Sequence, residues 1–156
     1  MVAGLPLPEG DISGARLAAA LRSLDADAKA VVTVAHNEAY RYPTGILSSA
    51  HLLLGLLAVD TAPLAASELD EPHLLDSIRR RLDLYLGPVR HPAQAVHLAY
   101  TPHARAILID AAEHAALESG ITTPKDLWLA LQEASGSLAA RCLTEINLPI
   151  TPGSSP

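Results

Sequence analysis

Seven histidines, one cysteine and 17 aspartates and glutamates are the residues of this 156-residue chain whose side chains could do chemistry. Metal binding, thiol attack and general acid–base work are open to these types, and each demands a spacing. The histidines stand at 36, 51, 73, 91, 97, 103 and 114. None falls in an H-E-x-x-H pattern, which would set two imidazoles on one helix face, and none clusters with Cys142 in the manner of a zinc site. His91 and His97 share a linker and do not make a metal centre. No G-x-S-x-G elbow occurs, and Cys142, next to Leu143, reads as a small buried hydrophobe rather than a nucleophile. Glu38 and Glu113 lie on helix faces and are expected to face solvent. No general acid meets a general base. The expectation is therefore no enzyme, no metal and no cofactor.

The bulk numbers narrow the classes further. Hydrophobic residues make up 49% of the chain but aromatic residues only 3%, with no Phe. A core of Leu, Ile, Val and Ala favours packed helices, because Ala and Leu are strong helix formers. Net charge is −6, and lysine occurs only at 29 and 125. A nucleic-acid partner is not expected, since a phosphate grip needs a basic face. Arg79, Arg80 and Arg81 form a basic run that reads as a solvated face. The single cysteine fits a reducing cytoplasm, and MVAGLPLPEG at the start lacks the features of a signal peptide. No apolar run is long enough to span a bilayer, so a membrane partner is not expected either.

The elements that would position any site are helices, and no convincing strand is seen. Residues 1–10 read as a flexible arm and 151–156 as a disordered tail. Leu17, Leu21 and Leu24 predict a short helix over 12–24, capped by Asp11 or Ser13. Asp25 caps a second, over about 26–41, ended by Pro43 and Gly45. The leucines after Ser48 and Ser49 predict a helix over about 50–58, buried on most sides. PLAASEL, opened by Pro63, predicts a short helix, and Pro72 opens another that Gly87 and Pro88 stop. Thr101 and Pro102 start the next helix. Trp128 stands at a leucine position and reads as core.

Two stretches of the chain repeat one pattern. Ala28, Val31, Val32, Ala35 and Ala39 have the same offsets as Ala104, Ile107, Leu108, Ala111 and Ala115. Asp25 pairs with Thr101, His51 with Asp126, and Leu52 to Leu56 with Leu127 to Leu131. Leu64-Ala65-Ala66 pairs with Leu138-Ala139-Ala140, and Leu69 with Leu143. Gly55 and Ala130 keep a small residue where helices must approach closely. Such self-similarity marks an internal duplication. The expected fold is all-α: two pseudo-symmetric repeats of a four-helix unit, the second shortened, plus an extra N-terminal helix. The double repeat covers 11–150, with repeat one at about 25–86, a linker at 87–100 and repeat two at about 101–148.

Ser49-Ala50-His51-Leu52-Leu53-Leu54-Gly55-Leu56-Leu57 and the opening YTPHARAIL at 100–108 resemble the duplicated N-terminal domain of the Clp ATPases, of the ClpC and ClpA type. The resemblance covers about residues 25–146. It implies an interaction domain that normally precedes ATPase modules, whereas no G-x-x-x-x-G-K-[ST] phosphate cradle occurs here. The second repeat lacks its closing helix, because Pro149 and Pro152 follow Leu148. The helix over 12–24 is expected to cover the surface so left bare. Some relatives bind phosphorylated arginine through an acidic residue just before the family histidine. Those positions are Ala50 and Lys125 here, so that activity is not expected. Relatives that bind cyclic peptide antibiotics use aromatic side chains near the domain start.

The resemblance thus implies a stand-alone cytoplasmic module that binds a protein partner of the Clp system: an ATPase, protease core, adaptor or substrate. The alternative is a decoy that sequesters a small molecule or cyclic peptide antibiotic aimed at a Clp ATPase. The expected surface is the groove between repeats, where helix starts at 48–51 and 123–126 present N–H groups. Its candidate residues are Ser49, Ala50, His51, Thr123, Lys125 and Asp126.

Overall fold

A computed structural model describes residues 9–42, 45–59, 71–86 and 98–145. Residues 1–8 of the arm expected at 1–10, the PLAASEL helix, most of the 87–100 linker and the tail lie outside the described residues, as do Leu64, Leu69 and Leu148, whereas Glu9 and Gly10 of that arm are helical. The elements are helices α1 (Glu9–Arg22), α2 (Ala26–Ala39), α3 (Ser49–Val59), α4 (Glu71–Leu86), α5 (Pro102–Ala116), α6 (Pro124–Glu133) and α7 (Leu138–Glu145), with two-residue strands β1 (Ile46–Leu47) and β2 (Ala99–Tyr100). The fold is all-α apart from those strands.

Helix α3 is the hub. Every residue from Ser49 to Leu57 is buried, so no face of it is left for water, as its unbroken apolar run requires. Helix α2 packs along it most closely, α4 and α7 flank it, and α6 and α5 meet it from the second repeat. Val31, Ala35, Leu53, Leu54, Leu56, Ile107, Leu108, Leu127, Trp128 and Leu143 belong to one continuous core. Trp128 is 2% exposed, as its leucine register demands.

The helix starts follow local chemistry. The Asp25 carboxylate accepts from the Ala28 N–H at 2.7 Å, and the Thr101 hydroxyl accepts from the Ala104 N–H at 3.2 Å. Each satisfies a backbone donor that the first turn leaves without an intrahelical partner. Pro102 and Pro124 follow their caps at positions where no N–H is needed.

The strands were not expected. β1 and β2 pair in parallel, Ile46 with Ala99 and Leu47 with Tyr100, and Leu24 makes a matching parallel bridge with Thr122. These two contacts follow one backbone pattern. The Thr101 N–H donates to the Leu47 carbonyl at 3.0 Å, and the Asp25 N–H donates to the Thr122 carbonyl at 2.9 Å. Thr101 corresponds to Asp25, and Thr122 to Leu47, so one interaction occurs twice. In each case the residue before the first helix of one repeat pairs with the residue before the second helix of the other. The corresponding glycines Gly45 and Gly120 both adopt positive φ, 69° and 79°, just before these segments.

Helix α1 departs from the expectation set for it. It begins at Glu9, ends at Arg22, and lies along α5. Leu24 falls outside it, in the bridge to Thr122. The reason for its placement is the outward face of α5, where Ile109, Ala112 and Ala116 are apolar.

Candidate functional site

The site expected from the sequence lies at the starts of α3 and α6, and the two starts are built alike from different residues. At α6 the Thr123 hydroxyl accepts from the Asp126 N–H at 3.4 Å, while the Asp126 carboxylate accepts from the Thr123 N–H at 2.9 Å. This is a capping box, with two first-turn donors satisfied reciprocally. At α3 the corresponding partners are Ser48 and His51. The Ser48 N–H donates to His51 Nδ1 at 2.9 Å, and the Ser48 hydroxyl lies 3.0 Å from the same nitrogen. An imidazole thus does at α3 what a carboxylate does at α6. Ser48, rather than Ser49, is the counterpart of Thr123.

That shift of one residue corrects the role of Ser49. It is 1% exposed, and its hydroxyl accepts from the Ala139 N–H at 2.9 Å, so it caps α7 from within the core. Ala50 and His51 are fully buried as well. Packing between α2, α6 and α7 has taken the first-repeat residues out of reach of a partner's side chains. In the second repeat Asp126 is 8% exposed and turned into its own helix start, Thr123 is half-buried, and Lys125 is exposed. Of the six candidates, Lys125 alone is exposed.

His51 has one acceptor nitrogen committed to Ser48, so the ring proton sits on Nε2. That nitrogen is buried without a hydrogen-bond partner. Burial lowers the His51 pKa from 6.5 to about 4, against an opposing pull from Glu38. In the unfolded chain the imidazole titrates near its ordinary value of about 6.5. Below that pH the unfolded state takes up a proton that the folded state refuses. Stability from this group is therefore full above about pH 6.5, falls between that pH and about 4, and levels off below. The expected loss is roughly 2 kcal/mol by about pH 4.5. Urea unfolding of the unmodified chain and of His51→Gln at neutral and acid pH measures it: the difference between the two should shrink on acidification, and a constant difference would contradict the assignment.

A carboxylate and an imidazole exchange places between the repeats. Glu38 on α2 acts on His51, whereas on α5 the corresponding residue is His114, whose Nδ1 lies 3.1 Å from Asp126 Oδ1. Glu38 was expected in solvent and is instead 8% exposed. Its partner is Arg79, which donates from Nη2 at 2.6 Å and from Nε at 3.1 Å. This fork explains the arginine run better than a solvated face does. Arg79 reaches across to α2, Arg80 pairs with Asp76 on its own helix, and Arg81 faces Glu145 on α7. Beside them the Tyr42 hydroxyl donates to Asp83 at 2.6 Å, and burial pushes its pKa up. Glu113 does face solvent, paired with Arg16.

Cys142 is fully buried, and burial raises its thiol to about 11, which keeps it protonated and unreactive at neutral pH. Among the described residues no group of three or more His, Cys, Asp or Glu side chains converges to hold a metal ion. No described helix is long and apolar enough to cross a membrane.

The α6 capping box carries its own prediction. Thr123→Ala and Asp126→Ala should each cost about 1 kcal/mol of stability, the usual worth of a helix cap. Lys125→Ala should cost nothing measurable, because its side chain is exposed. Thermal unfolding of the three variants separates cap from surface.

Comparison with known proteins gives a consistent picture. The family model described as the Clp repeat (R) N-terminal domain matches residues 23–146. Among solved structures, the N-terminal domain of the caseinolytic protease associated chaperone ClpD from Arabidopsis thaliana is similar, with a TM-score of 0.65 and 16% sequence identity. The similarity covers 83% of this chain and 91% of that one. At that identity it speaks for the fold. No curated protein matches the chain.

Proposed function

Because the chain belongs to the Clp repeat N-terminal domain family, we propose that it binds a protein partner, adaptor or substrate of the Clp chaperone–protease system in the cytoplasm and does no chemistry itself. The observation that carries this reading is the family match, which spans both repeats from residue 23 to 146. The geometry of the helix starts supports it. The bridge of Leu24 with Thr122 holds the starts of α2 and α6 side by side, with exposed Lys125 in the first turn of α6. Lys125 presents a cation there with which an acidic side chain of a partner can pair.

The test is capture from the lysate of the native cell on the immobilised chain, with Lys125→Glu as the comparison. A Clp ATPase, protease subunit or adaptor should be enriched, and less so by the variant. An enriched set without any Clp component would sink the reading. Equal enrichment by both proteins would move the contact away from the α6 start.

A further inference from the structure

Helix α1 covers a face that the first repeat does without. On α5 the outward residues are Ile109, Ala112 and Ala116, whereas the corresponding positions on α2 are Thr33, His36 and Tyr40. Ile109 is 7% exposed beneath α1, and Ala20 of α1 is 2% exposed against it. A helix face of this composition is built to be covered by another helix.

The cover is light. Its ion pair, Arg16 with Glu113, is more than half exposed on both sides, and such pairs contribute little. At its end the Ser23 and Thr122 hydroxyls meet at 2.7 Å. Two clefts, of about 310 and 280 Å³, open where α1 meets α5, and both are lined by Arg16 and Ile109. The matched family domain begins at residue 23, after α1 has ended.

We propose that α1 is a releasable strap, and that the α5 face beneath it receives a basic amphipathic helix from a partner protein. What α1 presents there defines what fits: small apolar residues, Ala19 and Ala20, toward Ile109, Ala112 and Ala116, with an arginine beside Glu113. The rim is acidic. Asp110 stands near Glu113 and Glu133, and burial with those two charges raises its pKa, so a cation relieves the crowding. A second copy of the chain fits less well as the occupant. Ser23 is the one residue between the end of α1 at Arg22 and the bridge at Leu24, a joint too short to carry α1 across to another molecule.

This rests on the chain being an interaction module, but its test uses a probe unrelated to any Clp component, so its failure would leave the capture experiment untouched. The probe is a fluorescent peptide of residues 14–24, which carry Arg16 and Arg22 and no acidic side chain, titrated into the full chain, with amide hydrogen exchange of α1 and α3 followed in parallel. Arg16→Glu should speed exchange in α1, leave α3 unchanged, and tighten peptide binding roughly threefold to tenfold over the unmodified chain. Glu113→Arg should free α1 in the same way yet gain no peptide binding, because it repels the peptide's arginine. The double variant should restore α1 protection. Three results would overturn the proposal: α1 amides as protected as those of α3 in every variant, freed α1 in Arg16→Glu without tighter peptide binding, or dimerisation of Arg16→Glu in sedimentation.

Discussion

Replacing Gly55 by alanine is expected to cost the fold roughly 3 kcal/mol or more, although alanine is the better helix former. A β-carbon at this position would lie 2.2 Å from the Val31 carbonyl oxygen and 3.0 Å from both its carbonyl carbon and its side chain. The obstacle is backbone, which cannot rotate away. Relief demands that α2 move off α3, the most extensive helix contact in the molecule. Overpacking of a tight core typically costs 1–3 kcal/mol and more where the backbone must shift, against a helix-propensity gain of about 1 kcal/mol for replacing glycine. The corresponding residue on α6 is already Ala130, 6% exposed, so the second repeat has accepted a β-carbon that the first cannot. Ala130→Gly should therefore cost only about 1 kcal/mol, through backbone entropy. Urea midpoints of the two variants give the comparison, and equal midpoints would mean that α2 and α3 are not held as closely as described.

Leu54→Ala is expected to lose roughly 2–5 kcal/mol, the range for a buried leucine cut to alanine. Leu54 is fully buried in the middle of α3, with helices on every side and little freedom to collapse into the space left behind. Its counterpart Leu129 on α6 is only partly buried. Leu129→Ala should lose about 1 kcal/mol, because water already reaches part of that side chain. The contrast between two leucines in the same register tests the hub role of α3 directly. If both variants melted alike, α3 would be no more central than α6.

The differences between expectation and structure fall on particular residues. Glu38 sits on a helix face whose neighbours in sequence say nothing of Arg79, 41 residues away, which takes it out of solvent. The start of α3 was legible to within one residue, but Ser48 and Ser49 are equally good caps by type. Only the packing of α7, whose Ala139 N–H needs the Ser49 hydroxyl, separates them. The pairing of His51 with Asp126 was visible as an alignment of positions. That both close a capping box could not be read from it, since histidine is not the usual residue for that role. The docking of α1 on α5 has a counterpart in the sequence: Ile109, Ala112 and Ala116 are apolar where α2 carries Thr33, His36 and Tyr40.

By itself the sequence determined helices α2, α5 and α6 with their caps, and the shared apolar offsets of α2 and α5. Those are written in nearest-neighbour chemistry: side chains such as Asp25, Thr101 and Thr123 that accept from an N–H three residues on, and apolar residues recurring at helical spacing. Tertiary structure decided which surfaces survive. Two-residue strands are too short to show any alternation, so the pairing of Leu47 with Tyr100 and of Leu24 with Thr122 exists only once the repeats meet. The burial of Ser49, Ala50 and His51, the exposure of Lys125 and the docking of α1 on α5 likewise depend on segments far apart in the chain. Such contacts form when apolar faces find each other across the core, and no local pattern encodes which face will be met.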